Sequence, residues 1–217
     1  TPGNDWIDGG SDGQDHLHGG DGDDVLIEHS MNYYGSDFGS DDFLYGGNGN
    51  DKLYAETGSD VLDGGAGNDY LEGGDHRDTY IFGKGYGHDT IFDYNLTSDD
   101  EYNSSYTNSN RVVFTGGIGL DDLDISISRN YDKSPIYDSP EGKFYTTMPV
   151  TNGDTWTIRI KGTDDVLTIL NQQTNLGAVE FFEFENGNTY TAAQVYAHMT
   201  RNLTPDEITA QNVTLAN

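Results

Sequence analysis

Aspartates recur along the first part of the chain at Asp5, Asp15, Asp24, Asp42, Asp51, Asp60, Asp69, Asp78 and Asp89. Most neighbours in that series lie nine residues apart, or a multiple of nine. Each closes a glycine-rich run, as in Gly-Gly-Asn-Gly-Asn-Asp (46–51) and Gly-Gly-Ala-Gly-Asn-Asp (64–69). Carboxylates spaced this way offer hard oxygen ligands, and the chain has no Cys to attract a softer metal. Flanking glycines permit positive φ and close backbone approach, so carbonyl oxygens can turn inward beside the carboxylates instead of pairing in a ladder. A cage of carboxylates and carbonyls suits Ca²⁺, which takes six to eight oxygen ligands. Mg²⁺ fits worse, because it demands strict octahedral geometry and retains water.

The elements that must position these ligands follow from the rest of the unit. After each aspartate come three residues alternating polar, apolar, polar, the period of a short half-buried strand. The apolar residues are Ile7, Leu17, Leu26, Leu44, Leu53, Leu62, Leu71, Tyr80 and Ile91. A three-residue strand buries little by itself, so each copy needs neighbours. Two copies make one flattened coil with a turn on each edge, and turns two copies apart stack on the same edge. Like charges would then face each other across a gap, which a divalent cation would relieve. A flexible Gly/Asp linker has no reason to keep an apolar residue every ninth position.

Composition sharpens this expectation. Of 217 residues, 33% are hydrophobic and 12% aromatic, with 15 Tyr, and the formal charge is -28. Low hydrophobicity with high net charge is a signature of disorder, and self-repulsion opposes compaction. We therefore expect a chain disordered without calcium and folded with it. Nucleic acid is excluded as a partner by 10 basic residues against 38 acidic ones. No apolar run is long enough to span a bilayer. The chain opens within a repeat, Thr1 to Asp8 fitting the end of a copy, so we expect more protein upstream.

Along the chain, residues 1–94 read as the repeat region, 95–202 as a second β-rich region and 203–217 as a tail. The copy at 9–18 carries one extra residue. Residues 28–45 break the pattern, yet Leu26 and Leu44 lie two repeats apart, so we read one degenerate coil in phase. Past a polar insertion at 95–110, strands are predicted at 111–116, 122–129, 155–162, 165–171 and 178–186. A second insertion, 131–153, interrupts them. Asn186-Gly187-Asn188 signals a turn, and Thr191 with Gln194 forms a capping box that opens a short helix.

No catalytic reading survives. Gly9-Gly10-Ser11-Asp12-Gly13 matches the Gly-x-Ser-x-Gly nucleophile elbow in letters only, with no strand before it and no helix after. No His-Glu-x-x-His motif occurs. His16 and His18 flank Leu17 and should point outward rather than bind zinc, and Trp6 and Trp156 are expected to pack.

The Gly-Gly-x-Gly-x-Asp repeats resemble the haemolysin-type calcium-binding, or RTX, repeats of Gram-negative secreted toxins, adhesins, proteases and lipases. Residues 83–94 (GKGYGHDTIFDY) resemble the junction where such arrays end. Residues 117–129, 156–171 and 181–195 resemble the haemolysin-related capping domain. The resemblance implies an all-β fold, a parallel β-roll followed by a β-rich capping domain with a short helix. It also implies which atoms hold calcium: carbonyls of positions one, three and five in one turn, those of two and four in its stacked partner, and the position-six carboxylate. On this sequence Gly46, Asn48 and Asn50 would pair with Gly65, Gly67 and Asp69. Ala55, Thr57 and Ser59 would pair with Gly74, His76 and Asp78, a site weakened by Ala55-Glu56 and by His76 in glycine positions. Gly64, Ala66 and Asn68 would pair with Gly85, Gly87 and Asp89. The same positions add Gly19, Asp21 and Asp23 with Asp24, and Gly73 and Asp75.

The function implied is a calcium-dependent folding and type I secretion module at the C-terminus of a large extracellular adhesin or toxin, with no catalysis of its own. Its partners would be the type I secretion machinery and the rest of a larger chain, outside a Gram-negative cell. The alternative is a carbohydrate-binding accessory module of a secreted polysaccharide-modifying enzyme, with an extracellular glycan as partner. Adhesion through the Tyr-rich insertions also stays open.

Overall fold

The computed structural model describes residues 2–10, 13–29, 39–93, 109–129, 154–172 and 179–200. The insertion at 131–153, nearly all of that at 95–110, and the tail 203–217 lie outside them.

The repeat region zigzags between two sheets. Odd strands β1 (Trp6–Asp8), β3 (Val25–Ile27), β5 (Lys52–Tyr54), β7 (Tyr70–Glu72) and β9 (His88–Phe92) stack in parallel in one sheet. Even strands β2 (His16–Asp21), β4 (Phe43–Asn48), β6 (Val61–Ala66) and β8 (Thr79–Phe82) stack in parallel in the other. Each copy contributes one short strand and one turn, as the alternation demands.

Register lines up the apolar positions. Ile7, Leu26, Leu53, Leu71 and Ile91 form one row, and Leu17, Leu44, Leu62 and Tyr80 the other. All but Ile7 are buried in one core cluster, with Ile7 packed against it. Each fully buried leucine contributes about 1.5–3 kcal/mol.

Both rows continue beyond the repeats. In the first sheet β9 pairs with β13 (Val166–Gln172), which pairs with β12 (Asp154–Ile160) and then β11 (Leu123–Arg129). In the second, β8 pairs with β10 (Arg111–Phe114), then β14 (Phe181–Phe184) and β15 (Thr189–Thr191). Ile169 thereby joins the Ile91 row, and Val112 and Phe182 join the Tyr80 row. The core changes from leucine to aromatic here: Trp156 stacks on Phe182 at 6.0 Å and Phe182 on Phe114 at 6.4 Å. The fold is an all-β parallel roll with a β-rich end, as expected. Its helix, α1 (Ala192–Thr200), starts at the capping box, where the Thr191 N–H donates to Gln194 Oε1 at 2.8 Å and the Gln194 N–H to Thr191 Oγ1 at 3.2 Å.

Two expectations need correction. Residues 28–45 do not make a full coil. Leu26 and Leu44 lie in opposite sheets, and Leu44 pairs with Leu17. β3 and β4 are successive strands of opposite sheets, so Leu26 and Leu44 do not share a row. Trp6 does not pack: it is 54% exposed, because β1 is the edge strand of its sheet. Trp156 is fully buried. His16 and His18 face outward and stack on Phe43 and Tyr45 at 4.5 and 4.7 Å.

Candidate metal centre

The turns collect on two edges of the roll. One edge holds the turns ending at Asp5, Asp24, Asp51, Asp69 and Asp89; the other holds those ending at Asp15, Asp42, Asp60 and Asp78. The turns 46–51 and 64–69 lie side by side, as do 55–60 and 73–78, and 64–69 and 85–89: Gly47 pairs with Gly65, Thr57 with Asp75, and Gly67 with Gly87. The stacking is close. A Cβ on Gly49, whose φ is +136°, would lie 1.9 Å from the Gly22 carbonyl oxygen.

The position-six carboxylates form a ladder. Each Oδ1 accepts the backbone N–H of the position-six residue in the coil before it. Asp24 accepts from Asp5, Asp51 from Asp24, Asp69 from Asp51 and Asp89 from Asp69, at 2.7–3.1 Å. On the other edge Asp42 accepts from Asp15, Asp60 from Asp42 and Asp78 from Asp60, at 2.7–3.0 Å.

The second oxygen is the functional one. Among the described residues, Oδ2 of Asp15, Asp24, Asp51, Asp60, Asp69, Asp78 and Asp89 is buried and meets no protein donor. A buried charge without a partner is costly, and seven in one array need a common cause. Geometry supplies it. The space above the Cα of Gly46 is bordered by Asp51 Oδ2 and the Gly64 carbonyl oxygen, 2.4 and 2.6 Å from where a Cβ would stand. Gly19 has the same arrangement with Asp24 and Gly46. Acceptors converging with no donor between them are what a hard cation requires. The residues therefore fit calcium, which would neutralise the carboxylates and tie adjacent coils.

Without a cation, Asp51, Asp60, Asp69, Asp78 and Asp89 hold protons more strongly than an ordinary carboxylate. Burial pushes Asp60 up to about 9, with Asp78 adding to it. Burial pushes Asp69 up to about 7, and burial together with Asp69 pushes Asp89 up to about 8. Burial also lifts Asp51 to about 6.

The turn carbonyls are not all turned inward, contrary to expectation. Those of Asn48 and Ala66 accept the N–H groups of Gly22 and Gly49 at 2.8 Å. A carbonyl has two lone pairs, so one remains. A second ladder also escaped the sequence reading. Position-five side chains Asn4, Asp23, Asn50 and Asn68 each accept the backbone N–H of the next turn, Asp23, Asn50, Asn68 and His88, at 2.8–3.1 Å. Its signal was the run of Asn and Asp immediately before the conserved-spacing aspartate.

The weak turns keep the repeat conformation. Glu56 and His76 stand in glycine positions and adopt φ of +60° and +91°. Left-handed backbone costs a side-chain-bearing residue about 1–2 kcal/mol. His76→Gly should therefore lower the calcium concentration at the folding midpoint, read by circular dichroism. A raised midpoint would show that the imidazole contributes more than the strain costs.

Side chains just before the C-terminal strands close one ladder and cap the last turn on the other edge. On one edge Asn110 replaces the next aspartate: its Oδ1 accepts the Asp78 N–H at 2.8 Å, and its amide donates to Asp93 Oδ2 at 2.6 Å. The Tyr80 hydroxyl donates to that same Asp93 oxygen at 2.6 Å. On the other edge Asp165 accepts the N–H groups of Gly85 and Gly87. Burial pushes the Asp165 carboxyl up, but those N–H groups and the Thr163 hydroxyl outweigh it and hold it below the usual range. Asn110→Ala orphans the buried Asp78 N–H and leaves Asp93 one donor fewer, and should cost about 1–3 kcal/mol in calcium-loaded thermal unfolding. An unchanged unfolding curve would deny Asn110 that closing role.

A roll of stacked parallel strands with carboxylate-lined turns defines a calcium-binding solenoid. Comparison with known families agrees. The RTX calcium-binding nonapeptide repeat model matches in four copies, over residues 1–27, 39–62 and 54–91. The haemolysin-type calcium binding protein related domain matches residues 157–194. Residues 1–91 thus carry RTX calcium-binding repeats, and residues 157–194 carry the related domain. No curated protein matches it. Among solved structures, the extracellular lipase LipA from Serratia marcescens is similar at 14% identity and TM-score 0.28, over 80% of this chain and 37% of the lipase. The chain spans little more than a third of that lipase (37%).

Proposed function

We propose that this chain is a calcium-dependent folding and type I secretion module of a large extracellular adhesin or toxin. The observation that carries the reading is the double row of buried Oδ2 atoms without protein donors. Where calcium is scarce, those charges oppose the roll and leave the chain extended enough to thread an export channel. Where calcium is plentiful, each ion joins two coils and the roll forms. Extracellular calcium modules bind at about 10⁻⁴–10⁻³ M, a range that separates the two conditions. The C-terminal strands cover the last coil, whose edge would otherwise be open to pairing with other chains. No helix among the described residues is long and apolar enough to cross a membrane.

The experiment is export of a passenger fused to residues 157–217 by cells carrying a type I machine. Passenger in the medium supports the reading. Passenger retained in the cytosol, with the machine active on its own substrate, rejects the secretion half of it.

A further inference from the structure

We propose that Asp15, Glu28 and Asp42 form a side-chain cation site, distinct from the cages of the regular turns, that takes Ca²⁺. One ligating oxygen from each of the three lies within 4.8 Å of the others. Glu28 opens the long turn from β3 to β4, the place that glycine holds in Gly46 to Asp51 and Gly64 to Asp69. There the regular repeat has no side chain. Glu28 instead turns a carboxylate inward. It is 2% exposed, and its Oε1 meets no protein donor.

Its placement is built, not incidental. The Glu28 N–H donates to the Tyr54 carbonyl at 2.9 Å, and on the other side the His29 N–H donates to the Gly10 carbonyl at 3.1 Å. Glu28 is thereby clamped between two coils. Its carboxylate fills the space over Gly9, where a Cβ would come within 1.7 Å of Oε1. In regular turns that space is bordered by the turn's own position-six Oδ2 and a carbonyl oxygen of the next coil. Here a full carboxylate takes up the space.

The other two ligands are also aimed. Asp42 is fully buried, with Oδ1 held by the Asp15 N–H at 2.8 Å and Oδ2 by the Ser40 hydroxyl at 3.1 Å. Asp15 Oδ2 is buried and meets no protein donor. Calcium affinity rises with the number of charged ligands and with site rigidity. Three carboxylates brought together from two adjacent turns should therefore bind more tightly than turns that offer one carboxylate among carbonyls. The site would pin the long crossing at its two ends, at Glu28 and at Asp42. The proposal shares with the proposed function the use of calcium, but not the dependence of folding on it.

The test is an anomalous-difference map of the wild-type chain crystallised with calcium, together with a count of bound calcium per chain in wild type and Glu28→Gln. A peak among Asp15, Glu28 and Asp42 is expected. In the near-isosteric variant, one ion fewer per chain and loss of the tightest-binding class are expected. Peaks at the regular turns with none beside Glu28 would overturn this proposal alone. No peak anywhere would overturn both readings. If Glu28→Gln fails to fold, the wild-type map still decides. An unchanged ion count in folded Glu28→Gln would overturn the site.

Discussion

Removing calcium should unfold the chain. In excess chelator the far-ultraviolet dichroism should lose its β signal, and millimolar calcium should restore it. At tenfold excess over its dissociation constant, one site adds about 1.4 kcal/mol to folding. Several stacked sites then approach the whole stability of an ordinary domain, roughly 5–15 kcal/mol. Native β signal persisting in chelator would mean the buried carboxylates are tolerated without ions, and the reading would fail.

The same carboxylates fix the pH dependence of the calcium-free chain. Asp51, Asp69, Asp89 and Asp60 rise from an ordinary 3.8 to about 6, 7, 8 and 9 in the fold, all chiefly through burial. Between those limits the folded state binds more protons than the unfolded one, so stability falls as pH rises. Whatever structure the calcium-free chain has should be greatest near pH 4 and be lost toward pH 9. Calcium must expel those protons, so its midpoint should fall over the same window. A calcium-free chain that gains structure with rising pH would contradict this assignment.

The second large effect is expected at Trp156. It is fully buried, stacks on Phe182, and sits on β12 two strands from the last repeat strand of its sheet. Trp156→Ala should cost about 3–5 kcal/mol. Both sheets run without interruption from repeat strands into C-terminal strands, through β9 with β13 and β8 with β10. The loss should therefore reach the roll and raise its calcium midpoint, not only melt the C-terminal strands. Trp6→Ala is the control, since an exposed edge residue should change stability by no more than about 0.5 kcal/mol. A Trp156→Ala chain with an unaltered roll midpoint would show that the two parts fold independently.

Much of the molecule was already written in one nine-residue unit. A glycine turn, an aspartate and a polar–apolar–polar triplet specify a strand, a turn and a burial direction locally, because backbone permissiveness and side-chain period need no distant partner. Repetition then specifies the stack, and with it the leucine rows and the carboxylate rows. The C-terminal strands were legible for the same reason, as in the alternation Ile125-Ser126-Ile127.

What the period could not specify was which coil lies beside which. Asp42 meets Asp60 at a separation of 18 residues, but Asp24 meets Asp51 at 27, because the long turn inserts extra chain without adding a coil. The register of β1 with β3 sets Glu28 over Gly9, and the shift brings Asp42 beside Asp15. The ends of the ladders lie further still from any local rule: Asn110 reaches Asp78 across 32 residues, and Asp165 reaches Gly85 across 80. Those partners share no repeat with the groups they satisfy. They are chosen by the need to cover the last coil's hydrogen-bonding groups, and only the packed molecule shows which side chains stand there.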